Sequence, residues 1–79
     1  MTLPDPFELV AAALNCDVRT LSPESGLNAH QRWDSLGHVA VVMELESHYG
    51  VVLDDDSIRL FEAMEAIIAL HRQLEQRDR

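Results

Sequence analysis

Residues 33 to 50 read WDSLGHVAVVMELESHYG, and this stretch decides the class of fold. Leu36, Val39, Val42, Leu45 and Tyr49 step by three or four residues, the spacing of one face of a helix. Asp34 and Ser35 offer the short side-chain acceptors that start helices, and Gly50 offers the left-handed residue that ends them. Val39, Val41 and Val42 are β-branched and lower the intrinsic helix propensity, so packing must hold this segment helical.

The same periodicity extends to both sides. Upstream, Leu3, Phe7, Val10, Ala11 and Leu14 share a helical face that runs to about Asn15. Its start is signalled either by Thr2 with Asp5 or by Asp5 with Pro6 and Glu8. Residues 16 to 33 carry Asp17, Ser22, Pro23, Ser25, Gly26 and Asn28 with no sustained period, which predicts a long loop. Leu21, Leu27 and Trp33 would pin that loop to the core. Downstream, the acceptors Asp54, Asp55, Asp56 and Ser57 precede Ile58, Leu60 and Phe61, a short third helix. Met64, Ile67, Ile68, Leu70 or His71, and Leu74 then trace a last apolar stripe before the tail QRDR. The expected fold is all-α, a small four-helix bundle with a long first loop and a short third helix, as one domain over residues 1–79.

Composition narrows the function classes. Six arginines and no lysine stand against fourteen carboxylates, a formal charge of −8, so phosphate backbones and anionic lipid surfaces are repelled. Neither nucleic acid nor membrane is an expected partner. Cys16 is the single cysteine, which excludes an internal disulfide and a multi-cysteine zinc site; its expected place is as a buried small apolar side chain. The opening MTLPDPFELVAAALNC has acids where a signal peptide has a basic region, and its apolar run is too short to span a bilayer. The chain reads as cytoplasmic. It contains no internal repeat, proline-rich linker or low-complexity tract.

Chemistry concentrates at Asp34-Ser35-Leu36, where a hydroxyl sits at the exit of the loop and the entrance of the strongest helix. Free N–H groups and the positive end of the helix dipole favour an anion there. On spacing alone the favoured reading is that Asp34 or Ser35 merely caps the helix. Ser35 and His38 are three residues apart, so Asp34, Ser35 and His38 could form a nucleophile group, but a bundle this small offers little room for an oxyanion hole and substrate pocket. His30, His48 and His71 fit no metal-ligand spacing. Asp54, Asp56 and Glu65 imitate a calcium loop, yet Arg59 stands where the sharp turn needs glycine.

From Trp33 to Asp56 the sequence WDSLGHVAVVMELESHYGVVLDDD resembles the phosphopantetheine attachment region of acyl carrier proteins, whose hallmark is Asp-Ser-Leu at the start of the second helix. Leu45-Glu46, Tyr49-Gly50, the acidic turn and the final amphipathic helix follow the family order over nearly the whole chain. The resemblance implies that Ser35 is the hydroxyl to which a phosphopantetheinyl transferase joins the 4'-phosphopantetheine arm of coenzyme A, the arm's thiol then holding an acyl or aminoacyl group as a thioester. It implies no catalytic activity and no metal. Asp34, Leu36, Met43, Glu44, Glu46, Asp54, Asp55 and Asp56 become the partner-facing residues, although the period of Leu36 suits a core role equally and Met43 lies at the edge of the apolar stripe. Eight acids between Asp34 and Glu65, against Arg59 alone, form the acidic face such a carrier would dock on basic patches. The implied partners are the transferase, a loading ligase or acyltransferase and downstream acceptor enzymes, met by a monomer. The other reading of the same residues is an acidic helical adaptor that binds a partner without modification. The sequence departs from the family at Gly37 and Ala40, where acids are usual, at Asp54, where proline is frequent, and at Glu62-Ala63, where a Ser/Thr cap often precedes the last helix. Docking is expected to differ accordingly, and the last helix to start less distinctly. WDSLGH is closer to discrete carriers of specialised or aminoacyl-transfer pathways than to the fatty-acid carrier.

Overall fold

A computed structural model describes residues 3–77. Four helices follow one another: α1 (Pro6–Leu14), α2 (Ser35–Tyr49), α3 (Asp55–Leu60) and α4 (Met64–Arg77). This is the expected small all-α bundle with its long first connection and short third helix. Each of the first three helices starts on an aspartate. The Asp5 carboxylate accepts the N–H groups of Phe7 and Glu8 at 3.0 and 3.3 Å, with Pro6 opening α1. Asp34 and Asp54 do the same for α2 and α3. The alternative start at Thr2 lies outside the described residues. Asn15 (φ 54°) and Gly50 (φ 73°) end α1 and α2 in the left-handed region.

The long loop is ordered by its own polar groups. Asp17 caps a single 3-10 turn, Val18–Thr20, too short to show in any periodicity. The Arg32 N–H donates to His30 Nδ1 at 3.0 Å, so the His30 Nε2–H must donate to Thr20 Oγ1 at 2.9 Å, and that hydroxyl donates to the Asp17 carbonyl at 2.7 Å. Trp33 is fully buried, and Leu21 and Leu27 pack against the core, as expected. Cys16, expected inside, is only half-buried at the core's edge, because the left-handed turn at Asn15 carries the chain outward.

The loop also supplies what α4 lacks. No Ser/Thr cap precedes Met64; instead its N–H donates to the Ser25 carbonyl at 2.9 Å, while the Leu27 N–H donates to the Glu62 carbonyl at 2.7 Å. These bonds form an isolated antiparallel bridge between Gly26 and Ala63. A Cβ on Gly26 would lie 2.7 Å from the Glu62 oxygen, so the bridge demands glycine.

The core comprises Leu9, Val10 and Leu14 of α1, Trp33 of the loop, Val41, Leu45 and Tyr49 of α2, and Phe61, Met64 and Ile67. In α2 the buried stripe is His38, Val41, Val42, Leu45 and Tyr49. The expected stripe had the right period and was partly misplaced: Leu36 is 83% exposed and Val39 49%. The helix is apolar on two sides, and the side that turns inward carries a histidine.

Gly37 lies where the loop crosses the first turn of α2. A Cβ there would meet the Arg32 carbonyl at 2.5 Å and the Leu14 side chain at 2.8 Å. In an open helix Gly→Ala stabilises by about 1 kcal/mol; here the sign reverses, and Gly37→Ala should destabilise by about 1–3 kcal/mol in urea unfolding through overpacking.

Tyr49 is the single tyrosine, and its hydroxyl donates to the Pro4 carbonyl at 2.5 Å. Burial, reinforced by the negative charges of Asp5 and Glu75, pushes its ionisation well above the ordinary 10.0. The raised value means that Tyr49 contributes fully to stability below pH 10 and loses that contribution as pH rises through the folded-state ionisation. Ultraviolet titration of the phenol should therefore show no ordinary transition near 10, but a later one coincident with unfolding. Tyr49→Phe should remove the alkaline step in stability.

Candidate functional site

Ser35 occupies the first position of α2, immediately after the loop leaves the buried anchor of Trp33. The capping task belongs to its neighbour. Asp34 has extended backbone (φ −96°, ψ −171°), its Oδ1 accepts the Gly37 N–H at 2.8 Å and its carbonyl accepts the His38 N–H at 2.8 Å. Ser35 is exposed, and among the described residues its hydroxyl makes no hydrogen bond. The N–H groups of Ser35 and Leu36 likewise donate to nothing described, so an anion on the Ser35 oxygen would meet two free donors and the positive end of a 15-residue helix.

His38 does not serve Ser35. The Trp33 indole N–H donates to its Nδ1 at 2.9 Å, and its Nε2 lies 2.6 Å from the Ile58 carbonyl oxygen. An indole N–H can only donate and a carbonyl can only accept, so His38 is the neutral tautomer with its proton on Nε2. Both nitrogens are committed and the side chain is buried, 3% exposed. The Asp34-Ser35-His38 nucleophile arrangement allowed by spacing is not formed.

Ser35 is followed by exposed apolar side chains. Leu36, Val39 and Met43 (53% exposed) follow one another along the outer face of α2, and Leu60 (63%) of α3 is also exposed. Glu46 falls beside this stripe by helical geometry, whereas Glu44 lies about 80° round from Leu36 on the other flank and pairs with His48 at 3.1 Å. Asp54, Asp55 and Asp56 are exposed at the start of α3, whose middle residue Ile58 is bonded to α2 one turn beyond Ser35. The structure thus gathers Leu36, Met43 and Glu46 on or beside one exposed face, keeps the Asp34 carboxylate at the Gly37 N–H as the cap, sets the three aspartates at the start of the adjoining helix and turns Glu44 aside. Val39 and Leu60 belong to the exposed surface and were not picked out in the sequence. The missing signal was which of α2's two apolar sides is covered.

No group of three or more His, Cys, Asp or Glu side chains converges among the described residues, and the Asp54 carboxylate of the calcium-like pattern is engaged by the Ser57 N–H at 2.8 Å. A groove of about 570 Å³ beside the loop is lined by Cys16, Asp17, Thr20, His30 and Arg32, where the His30–Thr20–Asp17 chain already satisfies the polar groups. No described helix is long and apolar enough to cross a membrane. No family model, curated protein or solved structure matches the chain.

The assignment of the cap is testable by stability alone. Asp34→Ala should lose about 1 kcal/mol in denaturant unfolding and Asp34→Asn only a few tenths. Ser35→Ala should change stability by less than about 0.5 kcal/mol, as expected of an exposed side chain with no structural task.

Proposed function

We propose that the chain is a carrier protein of the acyl-carrier type, with a 4'-phosphopantetheine arm attached to the Ser35 oxygen. The observation that carries this reading is the division of tasks at the start of α2: Asp34 caps the helix, so Ser35 presents an exposed hydroxyl that the fold does not use. The surroundings suit a phosphodiester, because the first-turn N–H groups and helix dipole favour a negative charge at this point. When bound, the arm supplies a thiol on which an acyl or aminoacyl group is held as a thioester. The chain's own part is to anchor and present it; the bond chemistry belongs to partner enzymes, of which this protein is a substrate.

Leu36, Val39 and Met43 give those partners an apolar contact, and Glu46, Asp54, Asp55 and Asp56 supply the charge around it. A basic patch on a transferase, on a loading ligase or acyltransferase, or on an acceptor enzyme would be steered to this face, with binding weakened by salt. Gly37 suits the reading despite departing from the family pattern. The crossing of the Arg32 carbonyl leaves no room for a side chain there, so the docking charge falls on α3 and Glu46 instead. We place the protein in the cytoplasm, acting as a monomer.

The test is intact mass spectrometry after incubation with coenzyme A, magnesium and a promiscuous phosphopantetheinyl transferase. One phosphopantetheinyl group should be gained on the peptide containing Ser35, and Ser35→Ala should abolish the gain while leaving the helical circular dichroism unchanged. A folded protein that gains nothing, while a control carrier is modified in parallel, would favour the unmodified acidic adaptor.

A further inference from the structure

The buried imidazole of His38 is a core group that the attachment chemistry leaves without a task. It joins three parts of the chain: the loop through Trp33, the first turn of α2 through its own backbone, and α3 through the Ile58 carbonyl. The third connection stands out because α3 is poorly held. It is six residues long, and none of its own side chains is fully buried. Among the described hydrogen bonds, that from His38 Nε2 to Ile58 is the one that ties α3 to α2. A helix this short has little stability of its own and takes its position from such ties.

We propose that His38 is a positioning residue: by fixing α3 against the first turn of α2, it composes the docking surface around Ser35 from two helices. This rests on the carrier reading above. Without the tie, α3 with its aspartates and Leu60 would have to be ordered each time a partner binds, and that ordering would be charged against affinity. A core residue with a packing role alone would be as well served by an apolar side chain of similar volume. Here an apolar replacement would leave the Trp33 indole N–H without its acceptor and the Ile58 carbonyl without this donor.

The two ring nitrogens can be tested separately. His38→Asn places an amide near the position of Nδ1, keeping an acceptor for Trp33 and losing Ile58. His38→Gln reaches the position of Nε2, keeping a donor for Ile58 and losing Trp33. Trp33→Phe removes the indole donor and leaves the tie to α3. In the full chain, amide exchange over residues 58–61 should rise about tenfold in His38→Asn, the effect of one lost hydrogen bond. It should stay near wild type in His38→Gln and Trp33→Phe. The transferase KM should rise by about the same factor in His38→Asn alone, with kcat within about twofold of wild type. The indole N–H resonance of Trp33, the single tryptophan, should lose protection in His38→Gln and keep it in His38→Asn. The inference is overturned if exchange in α3 or KM changes equally in the Asn and Gln variants, or follows global stability. A wild-type protein that no transferase modifies would sink the carrier reading, while the exchange pattern would still decide whether His38 holds α3.

Discussion

A tryptophan buried to its last atom carries an indole N–H that must find an acceptor inside the core, and this requirement shapes the front of the molecule. Trp33 is the largest fully buried side chain. Leaving its N–H unpaired would cost about 1–3 kcal/mol, a sizeable share of the stability of a domain this small. The acceptor is a histidine on the next helix rather than a carbonyl, and a histidine brings a second nitrogen with its own demand. That nitrogen reaches the Ile58 carbonyl, so one buried donor organises the loop, α2 and α3 together. Among the described residues no buried side-chain nitrogen or oxygen is left without a partner.

The apolar content of α2 divides accordingly. One side, built on Val41, Val42, Leu45 and Tyr49, closes the core. The other, Leu36, Val39 and Met43, is left in water. Ser35 stands at the head of this second side, and the capping aspartate beside it relieves the serine of any structural task. One side of the helix thus closes the core, and the other, with the uncommitted Ser35 hydroxyl at its head, faces water.

Much of this was legible in the sequence because it depends on local rules. The helix order, the aspartate and glycine signals at helix ends, the anchoring of the loop by Leu21, Leu27 and Trp33, and the location of Ser35 follow from periodicity and capping chemistry. What could not be read depends on contacts between distant residues. The period of α2 suits two faces, and the choice between them falls to His38, a polar residue that a hydrophobic count places outside. Gly37 reads as a departure from a pattern, yet its cause is a carbonyl five residues earlier and a leucine of α1. The weak start of α4 was visible in Glu62-Ala63; the Ser25 carbonyl that compensates for it was not.

That compensation reaches beyond the static structure. The first N–H of α4 takes its acceptor from a loop segment laid down early in the chain, beside the Gly26–Ala63 bridge. The Met64 N–H, which α4 cannot satisfy from within, finds its protein acceptor only when the segment around Ser25 is in place. These contacts are distant in sequence in a protein whose helices are otherwise local, and contacts of that kind cost loop-closure entropy before they form. During synthesis the Ser25 carbonyl would wait for the arrival of Met64.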